Sequence, residues 1–203
     1  MIAVIDYGLG NVQAFLDIYK RLNIPAIAAK KSEDLLGITK CILPGVGAFD
    51  WAIQSLNHSG MRPALEKLVM QDQCPVLGVC VGMQMLANRS DEGSLDGLAW
   101  IPGEIKKFDE TKFDRLPHIP HMGWNDVAIT RENPLLNGIE EPQFYFLHSY
   151  YFVPEDSHSI IGASEYGGRF ASVVAKGNVY GTQFHPEKSH HWGMSLLKNF
   201  AEL

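Results

Sequence analysis

Pro75-Val76-Leu77-Gly78-Val79-Cys80-Val81-Gly82-Met83-Gln84 is the stretch whose reading decides the fold. Residues 75–79 form a short apolar run, as in a strand covered on both faces. Met83, Gln84, Leu86 and Ala87 then take on helical character. Between the two, Gly78-x-Cys80-x-Gly82 has the spacing of a nucleophile elbow with Cys in place of Ser. A strand that turns sharply into a helix brings backbone against backbone, so glycines are expected on either side of the turn. Such a turn lifts the Cys80 thiol above the carboxyl edge of a sheet. The free N–H groups and dipole of the following helix favour a thiolate there. The competing reading is a small buried core cysteine. Cys41 and Cys74 lack such a setting and read as core residues.

Upstream of the elbow, strand and helix signals alternate. Ile2-Ala3-Val4-Ile5 reads as a first strand, followed by the loop Asp6-Tyr7-Gly8-Leu9-Gly10-Asn11. Val12, Phe15, Leu16, Tyr19 and Leu22 then recur at helical spacing. Strands are expected at residues 25–28 and 41–43, and helices at 48–56 and 63–70. This order predicts an α/β fold, a mostly parallel sheet with helices on both faces. Downstream, between about Leu98 and Asn178, short segments separated by Pro, Gly and Asn predict extra antiparallel strands, at 124–129, 144–152, 159–163 and 172–175. A last strand, 179–184, leads to His185. Trp192, Leu196, Leu197, Phe200 and Leu203 give a closing amphipathic helix. With no low-complexity linker and no repeat, residues 1–203 are expected to form a single domain.

A thiol needs a base. His185 follows a strand and precedes Pro186, which keeps it out of the helical region. Glu187, two positions on, is placed to orient the imidazole. Cys80, His185 and Glu187 then form a nucleophile, base and orienter. His118, His121, His148, His190 and His191 are candidate metal ligands, but none forms a known zinc spacing, so no metal is expected. His190-His191 reads as a solvated helix start. Gly8-x-Gly10 hints at a dinucleotide loop, yet Gln13 occupies its third glycine position.

The 203 residues are 46% hydrophobic, ordinary for a globular protein. Seventeen Lys+Arg against 23 Asp+Glu give a formal net charge of −6, which argues against nucleic acid or an anionic membrane as a general partner. No apolar run approaches the roughly 20 residues of a membrane span. Three cysteines without a CxxC pair argue against a disulfide framework and suit a reducing, cytoplasmic setting.

With elbow and His-Pro-Glu in hand, the chain resembles the class I (triad) glutamine amidotransferases. Within them it is most like glutaminase subunits of imidazole glycerol phosphate synthase. The resemblance spans the chain and rests on six stretches in order: Asp6-Tyr7-Gly8-Leu9-Gly10-Asn11, Leu43-Pro44-Gly45-Val46-Gly47-Ala48-Phe49, the elbow stretch, Pro120-His121-Met122-Gly123-Trp124-Asn125, Phe146-Leu147-His148-Ser149-Tyr150, and Gly181-Thr182-Gln183-Phe184-His185-Pro186-Glu187-Lys188-Ser189. It departs mildly at Val79 and Val81, apolar for apolar.

The resemblance implies that Cys80 is the nucleophile, His185 the base and Glu187 its orienter. It implies oxyanion donors from Val46 or Gly47 and from Val81. L-glutamine would be held by Gln84 and Glu92, beside His148, Ser149 and Tyr150. It implies no cofactor. Because the pattern occupies all 203 residues, a partner is expected to use the ammonia: a (βα)8 cyclase subunit forming a heterodimer, or another ammonia-accepting synthase. Asn11, Trp124 and Lys188 are the expected contacts. His190-His191-Trp192 resembles copies that occur beside surface-polysaccharide sugar amidotransferases, a second candidate partner. A stand-alone cysteine hydrolase and a non-catalytic binding module are the readings from other classes.

Overall fold

The computed structural model describes residues 1–113 and 119–203. The first half alternates as expected: β1 (Ile2–Ile5), α1 (Val12–Arg21), β2 (Ala26–Ala29), β3 (Lys40–Gly45), α2 (Phe49–His58), α3 (Arg62–Glu66), β4 (Val76–Cys80) and α4 (Val81–Gln84). Asn11 caps α1, its side chain accepting from the Ala14 N–H at 3.2 Å, and Phe15, Ile18 and Tyr19 turn inward. The second half supplies β5 (Arg89–Ser90), β6 (Gly103–Lys107), β7 (His121–Asp126), β8 (Ala128–Ile129), β9 (Gln143–His148), β10 (Tyr150–Pro154), β11 (Ile160–Glu165), β12 (Arg169–Lys176), β13 (Val179–Thr182) and α5 (His190–Glu202).

Among the described residues, eleven strands share one sheet with a path β2-β1-β3-β4-β13-β12-β10-β6-β5. The first five are parallel to one another. From β1 the chain moves one way along the sheet through α1, and from β3 the other way through α2 and α3. Right-handed crossovers therefore put these helices on opposite faces. β12 turns antiparallel to β13 and carries the extension through β10 and β11. β7 and β9 form a separate antiparallel ribbon.

Several details differ from the sequence expectation. The expected strand 124–129 breaks at Val127 into β7 and β8, which belong to different sheets. The expected strand 144–152 breaks at Ser149 into β9 and β10, which belong to different sheets. His148 Nδ1 lies 2.7 Å from the Tyr150 carbonyl, and this local bond draws the chain into a bend inside a stretch with no Pro, Gly or Asn to mark it. The expected helix 63–70 is α-helical only to Glu66 and widens at Lys67–Gln71. The helix after the elbow is a single turn, because the Leu86 and Ala87 N–H groups bond only three residues back. His118 lies outside the described residues.

Candidate active site

Cys80 ends β4 with φ +56°, a strained conformation for a non-glycine residue. It is held by close backbone contact. A Cβ on Gly82 would collide with the Leu43 carbonyl, one on Gly45 with the Gly82 nitrogen, and one on Gly78 would lie 2.6 Å from the Gly82 oxygen. β3 and β4 also pair residue for residue, with Gly45 opposite Cys80. The turn after Gly45 thus sits beside the thiol, and its Gly47 takes φ +84°. Tyr7, from the loop after β1, donates its hydroxyl to the Pro44 carbonyl at 2.7 Å and ties that loop to the same turn. Burial, reinforced by the nearby Cys80 charge, pushes the Tyr7 pKa far up, so the hydroxyl keeps its proton. Gly10 packs against the Pro44 ring, so the Gly8-x-Gly10 loop braces this turn.

His185 lies just past β13, the parallel neighbour of β4. Its N–H bonds to the Tyr145 carbonyl of β9 at 2.9 Å. Nδ1 lies 2.8 Å from Glu187 Oε1, and both side chains are buried. That leaves Nε2 for the Cys80 side of the ring, while the thiol itself donates to the Leu147 carbonyl at 3.8 Å. Burial disfavours the imidazolium, but bonds and charges from Cys80 and Glu187 outweigh it and raise the His185 pKa to about 10. The arrangement keeps His185 protonated at neutral pH, beside the Cys80 sulfur. Ser189 fastens this corner, donating to the His185 carbonyl at 2.6 Å and accepting from the Tyr145 N–H at 3.0 Å.

A pocket of about 290 Å³ opens over Cys80. Its lining brings together Val46, Gly47, Val81, Gln84, Glu92, His148, Ser149, Tyr150, His185 and Lys188, all singled out from the sequence. Glu92 is pinned by one oxygen, Oε2, which accepts from the Phe49 N–H at the start of α2 at 2.9 Å. Larger hollows, of about 730, 440 and 420 Å³, lie elsewhere among the described residues and contain none of these side chains.

Of the other expected residues, Asn11 is exposed at the start of α1 and Trp124 is 45% exposed on the ribbon. Trp124 is therefore not a core residue. Trp124 stacks on His190 (5.3 Å between centroids, 9° between planes) and lies 6.1 Å from Trp192. His190 opens α5 exposed, as a solvated helix start should. Cys41 and Cys74 are buried away from the pocket, the Cys74 thiol donating to the Pro75 carbonyl at 3.7 Å. Among the described residues, no three of His, Cys, Asp and Glu group as a metal site.

Sequence reasoning passed over Gln183, whose Nε2 donates to Cys80 Sγ at 3.9 Å, and weighed His121 only as a metal ligand. A polar residue inside the apolar run 179–184 was the available signal for Gln183.

The family model for "Glutamine amidotransferase class-I" matches residues 3–203. The chain belongs to the class-I glutamine amidotransferases. It is a glutamine-hydrolysing enzyme of that family. It is 54% identical to the imidazole glycerol phosphate synthase subunit HisH of Bdellovibrio bacteriovorus, over the whole of both chains. It is 50% identical to HisH 2 of Pseudomonas aeruginosa, again over the whole of both. Among solved structures, a glutamine amidotransferase superposes with TM-score 0.74 at 20% identity, covering 99% of this chain and 97% of that one. PurLQS from Thermotoga maritima gives 0.68 at 16%, covering 99% and 97%. At such identities the two structures speak for the class-I amidotransferase fold alone.

Proposed function

We propose that this chain is the glutaminase subunit of an imidazole glycerol phosphate synthase, hydrolysing L-glutamine and passing the ammonia to a cyclase partner in histidine biosynthesis. Identity of 54% and 50% to HisH subunits over full length supports the pathway. The observation that carries the chemistry is the buried line from Glu187 through His185 to a strained Cys80 under a small pocket.

In this reading the Cys80 thiolate attacks the side-chain amide of glutamine. The oxyanion forms against the Val81 N–H, at the start of α4, and an N–H of Val46 or Gly47. His185 gives its proton to the departing ammonia. It then takes one from water, which attacks the thioester and releases glutamate. Glu187 holds the ring with Nε2 toward the sulfur. Glu92, with one oxygen committed to Phe49, turns its charge toward the substrate ammonium. Two glycines around Val46 let its peptide turn, so a docked partner that favours the donor-inward form would switch hydrolysis on. One oxyanion donor is worth ~10²–10³ in rate.

Released ammonia is mostly protonated in neutral water and is then no nucleophile, so the acceptor has to lie close. Asn11, Trp124 and Lys188 are the proposed contacts for the cyclase. Lys188 lines the pocket and lies 5.9 Å from the Tyr145 ring. The second reading, a sugar-amidotransferase partner, rests on the resemblance of His190-His191-Trp192, whose His190 and Trp192 lie beside Trp124. The test is glutamate release from glutamine and from asparagine, with each partner and with none. Glutamine-specific release stimulated by the cyclase supports the first proposal. Stimulation by the sugar amidotransferase alone selects the second, and comparable asparagine hydrolysis counts against both.

A further inference from the structure

Behind the pocket runs a chain of hydrogen bonds that the hydrolysis steps leave unused. Asn125 Nδ2 lies 3.3 Å from His121 Nε2, His121 Nδ1 lies 2.9 Å from His148 Nε2, and His148 Nδ1 lies 2.7 Å from the Tyr150 carbonyl. That carbonyl also accepts from Gln84 Nε2 at 3.1 Å. The other hydrogen of the Gln84 amide goes to Gln183 Oε1, again at 3.1 Å.

The donor directions follow by elimination. A carbonyl oxygen only accepts, so His148 carries a proton on Nδ1. In the neutral ring Nε2 then only accepts, so His121 must donate from its own Nδ1. Its Nε2 is left to accept from Asn125. Each ring is held in one tautomer by the hydrogen bond at its far side. The surroundings keep both neutral. His121 lies flat between Tyr166 (4.0 Å between centroids) and Phe146 (4.8 Å), and His148 meets Phe108 and Phe170, each at 5.3 Å. Burial pushes the His121 pKa down to about 4 and that of His148 to about 3. The titratable groups acting on His148 are His121 and His185, and a positive charge on either disfavours a second one here.

We propose that His121 and His148 are positioning residues for glutamine: their relay fixes the Tyr150 carbonyl, and through it the side chain of Gln84. Both hydrogens of the Gln84 amide are committed inside the protein, so its oxygen is what it offers to the pocket. An oxygen suits the ammonium of an amino acid. A freed Gln84 that turned its NH₂ outward would repel it. His121 does not line the pocket, so its whole effect passes through His148. The proposal rests on the glutaminase reading for its kinetic test but not for its spectroscopic one.

The first test needs no variant. Long-range ¹H–¹⁵N spectra of the full chain should show His121 and His148 as neutral Nδ1–H tautomers, unchanged from pH 8 to pH 5.5. A proton on Nε2 of either ring, or titration of either within that range, overturns the relay whatever the chain hydrolyses. The second test is kinetic. His121→Phe keeps the stacked ring but removes the N–H, and should raise KM for glutamine about tenfold, the size of a buried hydrogen bond left unmade. kcat should change less than about threefold. His121→Asn sets an amide N–H near the old Nδ1 and should bring KM back to within about threefold of wild type. Equal KM increases in both variants, or a fall in kcat with KM unchanged, would reduce His121 to packing and overturn the proposal. If the wild-type chain showed no glutaminase activity with any partner while the tautomers held, the glutaminase reading would fall and the relay would stand.

Discussion

The two walls of the pocket are built by different means. On the Cys80 side, β3, β4 and α4 meet backbone to backbone at Gly45, Gly78 and Gly82, so the position of the thiol follows from strand pairing and sterics. On the Tyr150 side, the ribbon β7–β9 meets the main sheet through side chains, His121 to His148 to the Tyr150 carbonyl. In the first wall the thiol's place is set by backbone contact, with one side chain, Tyr7, bonded to the Pro44 carbonyl. The second has one hydrogen-bond direction at each link. Chemistry should therefore depend on the first wall and substrate affinity on the second.

The largest effect belongs to the first wall. Cys80→Ala should lower glutamine-dependent glutamate release by roughly 10⁴-fold or more. Synthesis by the partner from added ammonium salts should continue, because the acceptor chemistry lies on the other chain. Glutamine-dependent turnover that survived in Cys80→Ala would remove the elbow from the mechanism. Cys41→Ala and Cys74→Ala should leave turnover intact.

Glu187→Gln comes next. The neutral amide no longer supports an imidazolium, and kcat should fall by ~10²–10⁴ with KM little changed. The same variant has a stability signature with a definite sign. The folded His185 pKa is raised from 6.5 to about 10, so the protonated ring stabilises the fold fully below about pH 6.5. That contribution shrinks above pH 6.5 and is gone above about pH 10. Urea midpoints of wild type and Glu187→Gln should differ most at pH 6 and converge by pH 10. A gap that widened with pH would reverse the assignment.

The same division explains what was legible in the sequence. Backbone contact leaves a trace in residue type, because only glycine fits where a Cβ would strike Leu43 or Gly82, and the elbow and its parallel sheet could be read from spacing. His-Pro-Glu was legible for a similar reason, with Pro186 fixing the backbone that places His185 beside Glu187. Side-chain relays leave no such trace. His121 and His148 are 27 residues apart, and nothing local says that one donates to the other. The break at Ser149 was hidden too, since it follows from the bond between His148 and the Tyr150 carbonyl, and 144–152 carries no Pro, Gly or Asn to mark it.

Glu92 lies between the two cases, anchored by a backbone N–H but acting through its charge. Glu92→Ala should raise KM for glutamine by roughly 10–100-fold, as for a charged hydrogen bond lost from a pocket. Glu92→Gln retains an oxygen for Phe49 while dropping the charge. If charge carries the affinity, Gln should resemble Ala. If Gln restored wild-type KM, the carboxylate would matter only as a prop for α2.

The smallest expected effect concerns the outer face of the second wall. β7 alternates, with His121 turned inward and Met122 and Trp124 outward, at 66% and 45% exposure. A tryptophan half-open to water and stacked on His190 is already rigid, so covering it with a partner loses little further side-chain freedom. Large aromatics of this kind dominate interfaces. Trp124→Ala should weaken partner binding by about tenfold, measured by titration calorimetry, and leave the urea midpoint of the free chain nearly unchanged because the ring packs on the surface. Met70, also 45% exposed, lies in the widened turn before β4, at the opposite edge of the sheet from Cys80. Met70→Ala should leave binding within about twofold. Equal weakening at both sites would mean that the carboxyl edge is not where the partner docks. Loss of stability in Trp124→Ala without loss of affinity would return Trp124 to the structural side of the comparison.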